Sequence, residues 1–485
     1  MNPIFVDSSK QRPMYMQIYD YFKREIESGK MCFAEKLPSI RGLAKELSIS
    51  KITVEKAYDQ LLSEGYIENA DRSRYTVAHL EQMEIPLRTD FTPQVMLGNA
   101  SGNVNGRAIR HANGLEAASD ISGVRYDFSS GEMDPGGFDF SLWKRYLGKA
   151  LTEAERLMRY GHAQGEYELR VQIARYIRQS RGVAATAEQI VIGPGVQSLL
   201  ATLCSILKKD YRSIAFEDPG FKNGRRVFAD HDYKIVPISM QQDGIDIDAL
   251  AQSAAKLVYV SPSHQFPTGM IMPIGKRNRL LSWVNAVDGL IIEDDYDSEF
   301  RYYGRPIPAL KGLDMAERVI YLGSFSKFMP PSIRISYVVL PMELMERFHQ
   351  GAGLYNQAAS TTEQLALWRF MEDGHMERQI RRLRKRYQEK RQQFVAAIRK
   401  NFGNSAGIQD VGSGLFVIVD ITTDKDVDEL KQRARASGCR VSFMEEYSIG
   451  ETSKLPTKRL PLYFSSIPQA EIETAVSLLR QAWID

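Results

Sequence analysis

Two short stretches decide the fold of most of this chain: Ile291-Ile-Glu-Asp-Asp-Tyr296 and Gly323-Ser-Phe-Ser-Lys327. Each joins an apolar, strand-like run to polar residues, and side chains that follow strand ends meet at one edge of an open α/β sheet. A lysine and an aspartate placed there meet the needs of pyridoxal 5'-phosphate (PLP). The lysine amine forms a Schiff base with the aldehyde, and the carboxylate pairs with the protonated pyridine nitrogen. We therefore predict that Lys327, the candidate catalytic residue, holds PLP as an internal aldimine and that Asp294 pairs with its ring.

Strand-like apolar runs alternate with helical stretches along the rest of this region. The runs begin at Gln189, Arg212, Tyr233, Lys256, Gly289, Arg318 and Ile335. Such alternation predicts an α/β domain with a mostly parallel central sheet that is buried on both faces. Beyond about residue 345, a long helix with a basic run at 378–391 leads to a small α+β subdomain. Basic runs of this kind are usually solvated helix faces, and contact with DNA phosphates is the alternative.

Further residues at strand ends are candidates for contacts with the cofactor. A glycine turn follows a predicted strand and opens a helix whose free amide groups suit a phosphate. This turn contributes Gly195, Val196 and Gln197. Ser324, Ser326 and Arg334 are predicted to add hydrogen bonds to the same phosphate. Phe221 is predicted to lie against the pyridine ring, and Tyr296 to hydrogen-bond the ring hydroxyl group.

The first 78 residues follow a different pattern. Apolar residues recur at helical spacing over 14–27. Ser39 and Ser50 stand at the N-cap positions of two further helices, which a short turn separates. Two strand-like runs then follow within residues 66–77. Helix, turn, helix and hairpin together predict a winged helix-turn-helix.

Polar and basic side chains are concentrated where this head would meet DNA. The second helix of the motif presents them at its start, where a helix lying in the major groove reads base edges. The candidate DNA contacts are Arg41, Ser50, Lys51, Thr53 and Lys56, with Arg72 and Arg74 on the wing. Their placement matters because residues 1–80 are nearly balanced in charge, with 12 Lys and Arg against 11 Asp and Glu. For Lys56, a solvated helix face is the alternative interpretation.

These stretches resemble a known family. The segment from Lys36-Leu-Pro-Ser-Ile-Arg41 to Glu64-Gly-Tyr-Ile67 is similar to the GntR-type winged helix, and residues 124–485 resemble a fold-type I aminotransferase. With Ser263-His-Gln-Phe-Pro-Thr-Gly269, the whole chain resembles the MocR/GabR branch of GntR regulators. The resemblance implies transcriptional regulation by PLP itself or by an amino compound. It also implies double-stranded DNA as a partner and a domain-swapped, head-to-tail homodimer.

The chain departs from this family near its C-terminus. The family has Leu-Arg-Leu-Gly-Phe, whose arginine binds a substrate α-carboxylate, whereas this chain has Leu460-Pro-Leu-Tyr-Phe464. Losing a bidentate partner weakens the binding of a carboxylate, and Arg459 is a candidate substitute. The departure favours a PLP-dependent regulator, with at most a residual aminotransferase-like half-reaction, over an aminotransferase that carries a DNA-binding head.

Bulk composition limits the location and other chemistry of the protein. The length of 485 residues exceeds that of one ordinary domain, and 43% hydrophobic residues are normal for a globular protein. Three scattered cysteines and seven scattered histidines offer no disulfide framework or metal-ligand spacing, so no metal site is predicted. The sequence shows no signal-peptide pattern and no long apolar run, which predicts a cytoplasmic protein without a membrane partner.

Glycine and asparagine dominate the region between the two patterns. Five glycines and four asparagines occur from residue 98 to residue 123 without a sustained apolar period. This composition favours a flexible tether, and an ordered arm along the body is the alternative. The predicted division is a winged helix-turn-helix at 1–78, a linker at 79–123 and a PLP-binding effector domain at 124–485.

Overall fold

The computed structural model describes residue 6 and residues 13–71, 74–79, 123–302, 307–409, 412–449 and 457–484. The helices are α1 Met14–Glu27, α2 Ile40–Glu46, α3 Lys51–Glu64, α4 Phe140–Leu151, α5 Ala154–Leu157, α6 Tyr167–Arg181, α7 Val196–Leu207, α8 Lys222–Asp230, α9 Ile247–Gln252, α10 Ile274–Ala286, α11 Met342–Gln350, α12 Thr361–Glu372, α13 His375–Phe402, α14 Val427–Ala436 and α15 Ile472–Ile484. The strands are β1 Ile67–Asp71, β2 Arg74–Val77, β3 Tyr126–Asp127, β4 Ile190–Gly193, β5 Ser213–Asp218, β6 Lys234–Gln241, β7 Gly244–Ile245, β8 Leu257–Val260, β9 Leu290–Asp295, β10 Val319–Ser324, β11 Ser336–Val339, β12 Ala406–Gln409, β13 Phe416–Thr422, β14 Cys439–Arg440 and β15 Thr457–Tyr463. All but the two end residues of the predicted linker lie outside the described residues.

Helices α1 to α3 and the hairpin β1–β2 form the N-terminal head. The amide of Gly42 donates to the Ser39 hydroxyl (3.1 Å), and the amide of Thr53 donates to the Ser50 hydroxyl (3.2 Å). Gly65 ends α3 in the left-handed region at φ +76°, which glycine adopts without strain. β1 and β2 pair antiparallel. The predicted winged helix-turn-helix is therefore confirmed.

The head rests on the body at the start of α10. Ile274 is buried in the hydrophobic core of the head, and a Cβ atom on Gly65 would lie only 2.6 Å from Pro273 Cβ. Glu64 is also buried; its carboxylate accepts a hydrogen bond from the Tyr19 hydroxyl (2.6 Å). The Arg277 guanidinium of α10 attracts this carboxylate electrostatically. The contact therefore combines close apolar packing with an electrostatic attraction between two buried side chains.

An eight-stranded sheet forms the centre of the body, in the order β4-β11-β10-β9-β8-β5-β6-β7. The neighbours β10, β9, β8, β5 and β6 run parallel, whereas β11 runs antiparallel to both of its neighbours and β7 runs antiparallel to β6. The predicted mostly parallel sheet is thus confirmed. Asp294 in β9 lies opposite Leu322 in β10. This register brings the carboxyl ends of both strands to the same edge of the sheet.

A smaller α+β part follows the central sheet. The antiparallel strands β12, β13 and β15 form its sheet, and α13, α14 and α15 share its hydrophobic core. The basic run in α13 is only partly solvated, because Lys390 is fully buried and donates to Asp134 (2.8 Å). Burial would raise the pKa of Asp134, but Lys390 and Arg386 outweigh it and hold that pKa below its ordinary value. Part of the run therefore anchors the small subdomain to the start of the body.

In the described parts of the chain, every helix is too short or too polar to cross a membrane.

Candidate cofactor pocket and DNA interface

A cavity of about 330 Å³ opens at the carboxyl edge of the central sheet. All ten residues predicted to contact the cofactor line it: Gly195, Val196, Gln197, Phe221, Asp294, Tyr296, Ser324, Ser326, Lys327 and Arg334. Phe266, Ser336 and Tyr463 also line the cavity and were not predicted. The fold therefore gathers into one cavity residues that are far apart in the sequence.

One end of the cavity is built for an anion. α7 begins beside it, and Gly195, at φ +110°, precedes the helix. A Cβ atom on Gly195 would lie 2.6 Å from Arg334 Nη2, so the glycine leaves the space that this guanidinium occupies. The Ser324 hydroxyl lies 2.9 Å from that of Ser326 and accepts from that of Ser336 (3.2 Å). Free helix amides, hydroxyl groups and an arginine together form a donor set suited to a phosphate.

Asp294 lies in a buried position on the cavity wall. The Tyr259 hydroxyl donates to its Oδ2 atom at 2.5 Å. Burial raises the pKa of Asp294 to about 7, although the hydrogen bond from Tyr259 acts in the opposite direction. A cation placed against this carboxylate would favour its ionised form. The protonated pyridine nitrogen of PLP is such a cation, and the Phe221 ring, stacked on Tyr259 at 6.0 Å, lines the cavity nearby.

Tyr296 is held by two residues to which the sequence analysis assigned no role in the pocket. Its hydroxyl lies 3.1 Å from His264 Nδ1, and the same nitrogen lies 2.9 Å from Asp297 Oδ2. His264 and Asp297 are both buried, and the imidazole also stacks on Phe416 at 5.0 Å. Because the histidine is packed on a ring and bonded to a carboxylate, it fixes the position of the Tyr296 hydroxyl.

Lys327 contacts a loop that is far from it in the sequence. Its Nζ atom donates to the Gly131 carbonyl at 3.0 Å. Burial lowers the pKa of Lys327, whereas the carboxylates of Asp297, Glu132 and Asp294 act to raise it. A lowered pKa increases the fraction of neutral amine, which is the nucleophilic form. A Cβ atom on Gly131 would lie 2.8 Å from Tyr463 and 3.0 Å from Lys327 Nζ, so this loop approaches closely because residue 131 is a glycine.

Arg459 does not line the cavity. Its guanidinium donates to both carboxylate oxygens of Asp420, at 2.7 and 3.0 Å, and nearly half of its side chain is exposed. Pro461 lies in β15 opposite Ile418 in β13. The structure therefore places the candidate substitute for the missing carboxylate-binding arginine in a surface ion pair.

The head presents most of its predicted DNA contacts at its surface. Arg41, Lys51 and Lys56 are exposed. The hydroxyls of Ser50 and Thr53 lie 2.8 Å apart and take part in the N-cap of α3. Arg72 and the side chain of Arg74 lie outside the described residues. Ile52, 62% exposed, was not predicted, although it falls outside the apolar period of α3.

Comparison with known proteins agrees with this two-part architecture. Residues 14–77 match the family of bacterial regulatory proteins called gntR, and residues 126–477 match aminotransferase class I and II. The chain is 37% identical over 480 residues to the uncharacterized HTH-type transcriptional regulator YdeL of Bacillus subtilis (strain 168), covering 99% of this chain and 98% of YdeL. It is 30% identical over 483 residues to the probable rhizopine catabolism regulatory protein MocR of Rhizobium meliloti, covering 99% of this chain and 96% of MocR. This chain belongs to the MocR branch of the GntR family.

Solved structures confirm the fold of the body in this MocR-type chain. The multiple substrate aminotransferase of Thermococcus profundus is 25% identical, with a TM-score of 0.67 over 76% of this chain and 95% of that one. LysN, an α-aminoadipate aminotransferase of Thermus thermophilus, is 23% identical, with a TM-score of 0.67 over 75% of this chain and 92% of LysN. LysN was solved with N-(5'-phosphopyridoxyl)-L-leucine. An aminotransferase class I and II domain implies PLP as the cofactor, and the cavity residues fit it.

Proposed function

We propose that this MocR-type chain is a PLP-dependent transcriptional regulator whose body controls how its head engages DNA. The observation that carries the proposal is a complete PLP-type cavity in the same chain as a winged helix-turn-helix. An amino compound, or PLP itself, is the proposed effector. The winged helix-turn-helix at 1–78, the linker at 79–123 and the effector domain at 124–485 are the proposed functional units.

The cavity residues that the sequence predicted have proposed tasks toward the cofactor. The amides at the start of α7, Ser324, Ser326 and Arg334 bind the phosphate. Asp294 keeps the ring nitrogen protonated, and Phe221 and Tyr296 orient the ring. Lys327 supplies the attaching amine. When bound, PLP supplies an aldehyde carbon and an electron-withdrawing ring, which make the site responsive to primary amines.

In the head, the exposed start of α3 is proposed to enter the major groove. Lys51 and Lys56 neutralise phosphates, and Thr53 and Ile52 reach base edges, the latter through apolar contact with a thymine methyl group. Arg41, Ser50, Arg72 and Arg74 complete the proposed DNA contacts. A domain-swapped, head-to-tail homodimer in the cytoplasm would present two heads to one operator.

Regulation is favoured over turnover by the charges of the cavity. Among its described lining residues, the cations are Lys327 and Arg334, and both have tasks toward the cofactor. Among the described residues that line the cavity, the carboxylate of an amino acid substrate therefore finds no further cationic partner. The second candidate function is an aminotransferase with a DNA-binding head, which the complete set of Lys327, Asp294 and Tyr296 favours.

The names of relatives support a regulatory role and a cofactor-derived effector. The HTH-type pyridoxine biosynthesis transcriptional regulator PdxR of Corynebacterium glutamicum is 26% identical over 447 residues, covering 92% of this chain and 91% of PdxR. That name ties a related protein to the supply of the cofactor's own vitamin form. We therefore propose PLP itself, as well as amino compounds, as a candidate effector.

The proposal is tested by following absorbance and DNA binding in the same samples. Purified full-length protein is loaded with PLP and titrated with primary amines and amino acids, and a gel shift on its own upstream DNA is run at each point. A perturbed cofactor spectrum together with altered DNA affinity supports a regulator. Sustained formation of keto acid or aldehyde with unchanged DNA affinity would instead favour the aminotransferase.

A further inference from the structure

The ring of Tyr463 stands beside the reactive amine of the cavity. A Cβ atom built on Gly131 would lie 2.8 Å from Tyr463 Cε1 and 3.0 Å from Lys327 Nζ. The ring edge and the amine therefore approach the same point from two distant segments of the chain. Tyr463 is buried, and both Tyr463 and Lys327 line the cavity. A ligand amine that reaches Lys327 therefore comes into contact with the Tyr463 ring.

The position of this ring is fixed by the backbone that carries it. Tyr463 in β15 lies opposite Phe416 in β13. The amide of Tyr463 donates to the Phe128 carbonyl (3.0 Å), and the amide of Phe464 donates to the Leu415 carbonyl (3.1 Å). The Tyr463 ring also packs on that of Phe416, with centroids 5.0 Å apart. A ligand can therefore use this ring without the cost of ordering it.

A second ring, from Phe266, continues the wall that Tyr463 begins. Phe266 also lines the cavity, and its ring packs edge-on against Tyr296, with centroids 6.3 Å apart, and against Phe416 at 6.5 Å. Tyr447 packs on the same ring at 4.9 Å. Phe416 therefore connects the two rings, because Tyr463 packs on it as well. We call Phe266 and Tyr463 the aromatic wall.

The described residues that line the cavity leave a ligand carboxylate at the aromatic wall without a cation. Their two cations are Lys327, to which the cofactor attaches, and Arg334. Arg334 lies at the phosphate end, where its Nη2 atom would be 2.6 Å from a Cβ atom on Gly195. A carboxylate at the aromatic wall would lose water without gaining an ionic partner, which is unfavourable. An apolar group in the same place would gain from burial.

We propose that the effector is a primary amine that carries an aromatic ring on a short alkyl chain and has no carboxylate. Its amine is directed toward Lys327, and its ring packs against the aromatic wall. Edge-on and offset contacts between aromatic rings add to the gain from burial. This inference rests on the proposed function, because it names the ligand class of the same site. Tyr463 and Phe266 determine the specificity, since they contact the part of the ligand that differs between amines.

Three ligands test the inference: 2-phenylethylamine, ethylamine and L-phenylalanine. Ethylamine lacks only the ring, and L-phenylalanine adds only the carboxylate. With PLP-loaded wild-type protein, we expect 2-phenylethylamine to half-saturate the absorbance change at a concentration about tenfold lower than either of the others. Dividing each ratio by the ratio measured with free PLP removes the intrinsic difference in reactivity between the amines. Equal or tighter binding of ethylamine or L-phenylalanine would overturn the inference.

A variant series assigns the preference to the aromatic wall. We expect Tyr463→Ala to lower the ratio of 2-phenylethylamine to ethylamine affinity by about fivefold or more, and Tyr463→Phe to restore it together with the ring. Tyr355→Ala, at an exposed tyrosine outside the cavity, should keep the wild-type ratio. Phe266→Leu removes the second ring from another segment and should also lower the ratio, which keeps the test decisive if Tyr463→Ala does not fold. A wild-type ratio in Tyr463→Ala or in Phe266→Leu would overturn the inference.

The same samples separate failure of this inference from failure of the proposed function. A normal cofactor spectrum and normal DNA binding, without preference for 2-phenylethylamine, would reject the aromatic amine alone. Absence of a protein-bound cofactor spectrum, or of binding to upstream DNA, would reject the proposed function and this inference with it. A gel shift that responds to 2-phenylethylamine at lower concentration than to ethylamine or L-phenylalanine supports both.

Discussion

The head and the cofactor pocket are built by opposite strategies. The head is assembled from neighbours in sequence. The hydroxyls of Ser39 and Ser50 each accept a hydrogen bond from the amide three residues further along the chain. The pocket is assembled from residues as distant in sequence as Gly195 and Tyr463. Local capping and periodicity define the first region, whereas strand order and register define the second.

The two regions are therefore vulnerable to different kinds of substitution. A change in the head acts through the stability of a small, local unit, whereas a change in the pocket acts through one atom position in a large, stable sheet. The two regions meet at α10, where Ile274 enters the core of the head. Substitutions that affect one region and leave the other intact therefore measure how independent the regions are.

The largest expected effect is the loss of covalent cofactor attachment in Lys327→Ala. We expect wild-type protein to retain PLP through denaturation after reduction with borohydride, and the variant to retain less than about 1%, because no other amine replaces the one at this position. Mass spectrometry of the reduced protein measures it, and Lys256→Ala, at an exposed lysine, is the control. Retention of attached PLP by Lys327→Ala would refute the assignment.

A core truncation in the head should separate the two regions. Leu61 is fully buried in α3. Leu61→Ala removes its packing and is expected to cost about 2–5 kcal/mol in the free energy of unfolding of the head. A gel shift should lose DNA binding while the absorbance spectrum of bound PLP persists. Simultaneous loss of the cofactor spectrum would show that head and body unfold as one unit, which would contradict the independence of the two regions.

The free energy of unfolding should depend on pH through a buried carboxyl group of the pocket. Burial raises the pKa of Asp294 from 3.8 to about 7, so the folded cofactor-free protein binds this proton more tightly than the unfolded chain does. The resulting stabilisation is complete below about pH 4 and is lost as the pH rises to about 7. Between about pH 5 and about pH 8, this carboxyl should lower the free energy of unfolding by about 2–3 kcal/mol.

Urea unfolding of cofactor-free protein at both pH values measures this effect. Asp294→Asn removes the titrating group. Its free energy of unfolding should therefore decrease less between the two pH values than that of the wild type. The remaining dependence has the same sign, since burial also raises the pKa of Glu217 to about 8. An identical decrease in wild type and variant would contradict the assignment.

A smaller effect is expected from a single methyl group at the phosphate end. In Gly195→Ala, the Cβ atom would lie 2.6 Å from Arg334 Nη2, and the backbone would keep φ at +110°. Strain of about 1–3 kcal/mol should weaken PLP binding by roughly tenfold to a hundredfold. Gly148→Ala, where nothing lies within 4 Å of the new Cβ atom, is the matched control. Equal PLP affinity in both variants would remove Gly195 from the phosphate site.

The sequence predicted the parts of each region that local chemistry determines. In the head, the predicted caps at Ser39 and Ser50 agree with the structure. In the pocket, Asp294 and Lys327 were predictable because the first stands at the end of an apolar strand and the second follows one, in a characteristic order. These features depend on residues within a few positions of one another.

Other parts of the site depend on the tertiary fold and were missed. Gly131 accepts a hydrogen bond from Lys327, and Tyr463 lines the same cavity as Lys327, only because the tertiary fold brings these distant segments together. His264 stands in a motif that the sequence did identify, but its contact with Tyr296 and Asp297 was not predictable, because Asp297 is 33 residues away. Arg459 was a candidate by spacing alone, and a neighbouring strand supplies the carboxylate that binds it.

The most direct test of the central claim is a gel-shift titration of the PLP-loaded protein with its own upstream DNA, with and without a saturating amine that perturbs the cofactor spectrum. We expect the amine to change the Kd for DNA by about fivefold or more, Lys327→Ala to abolish the change, and no product to accumulate. An unchanged Kd for DNA, together with continuous conversion of the amine, would contradict it.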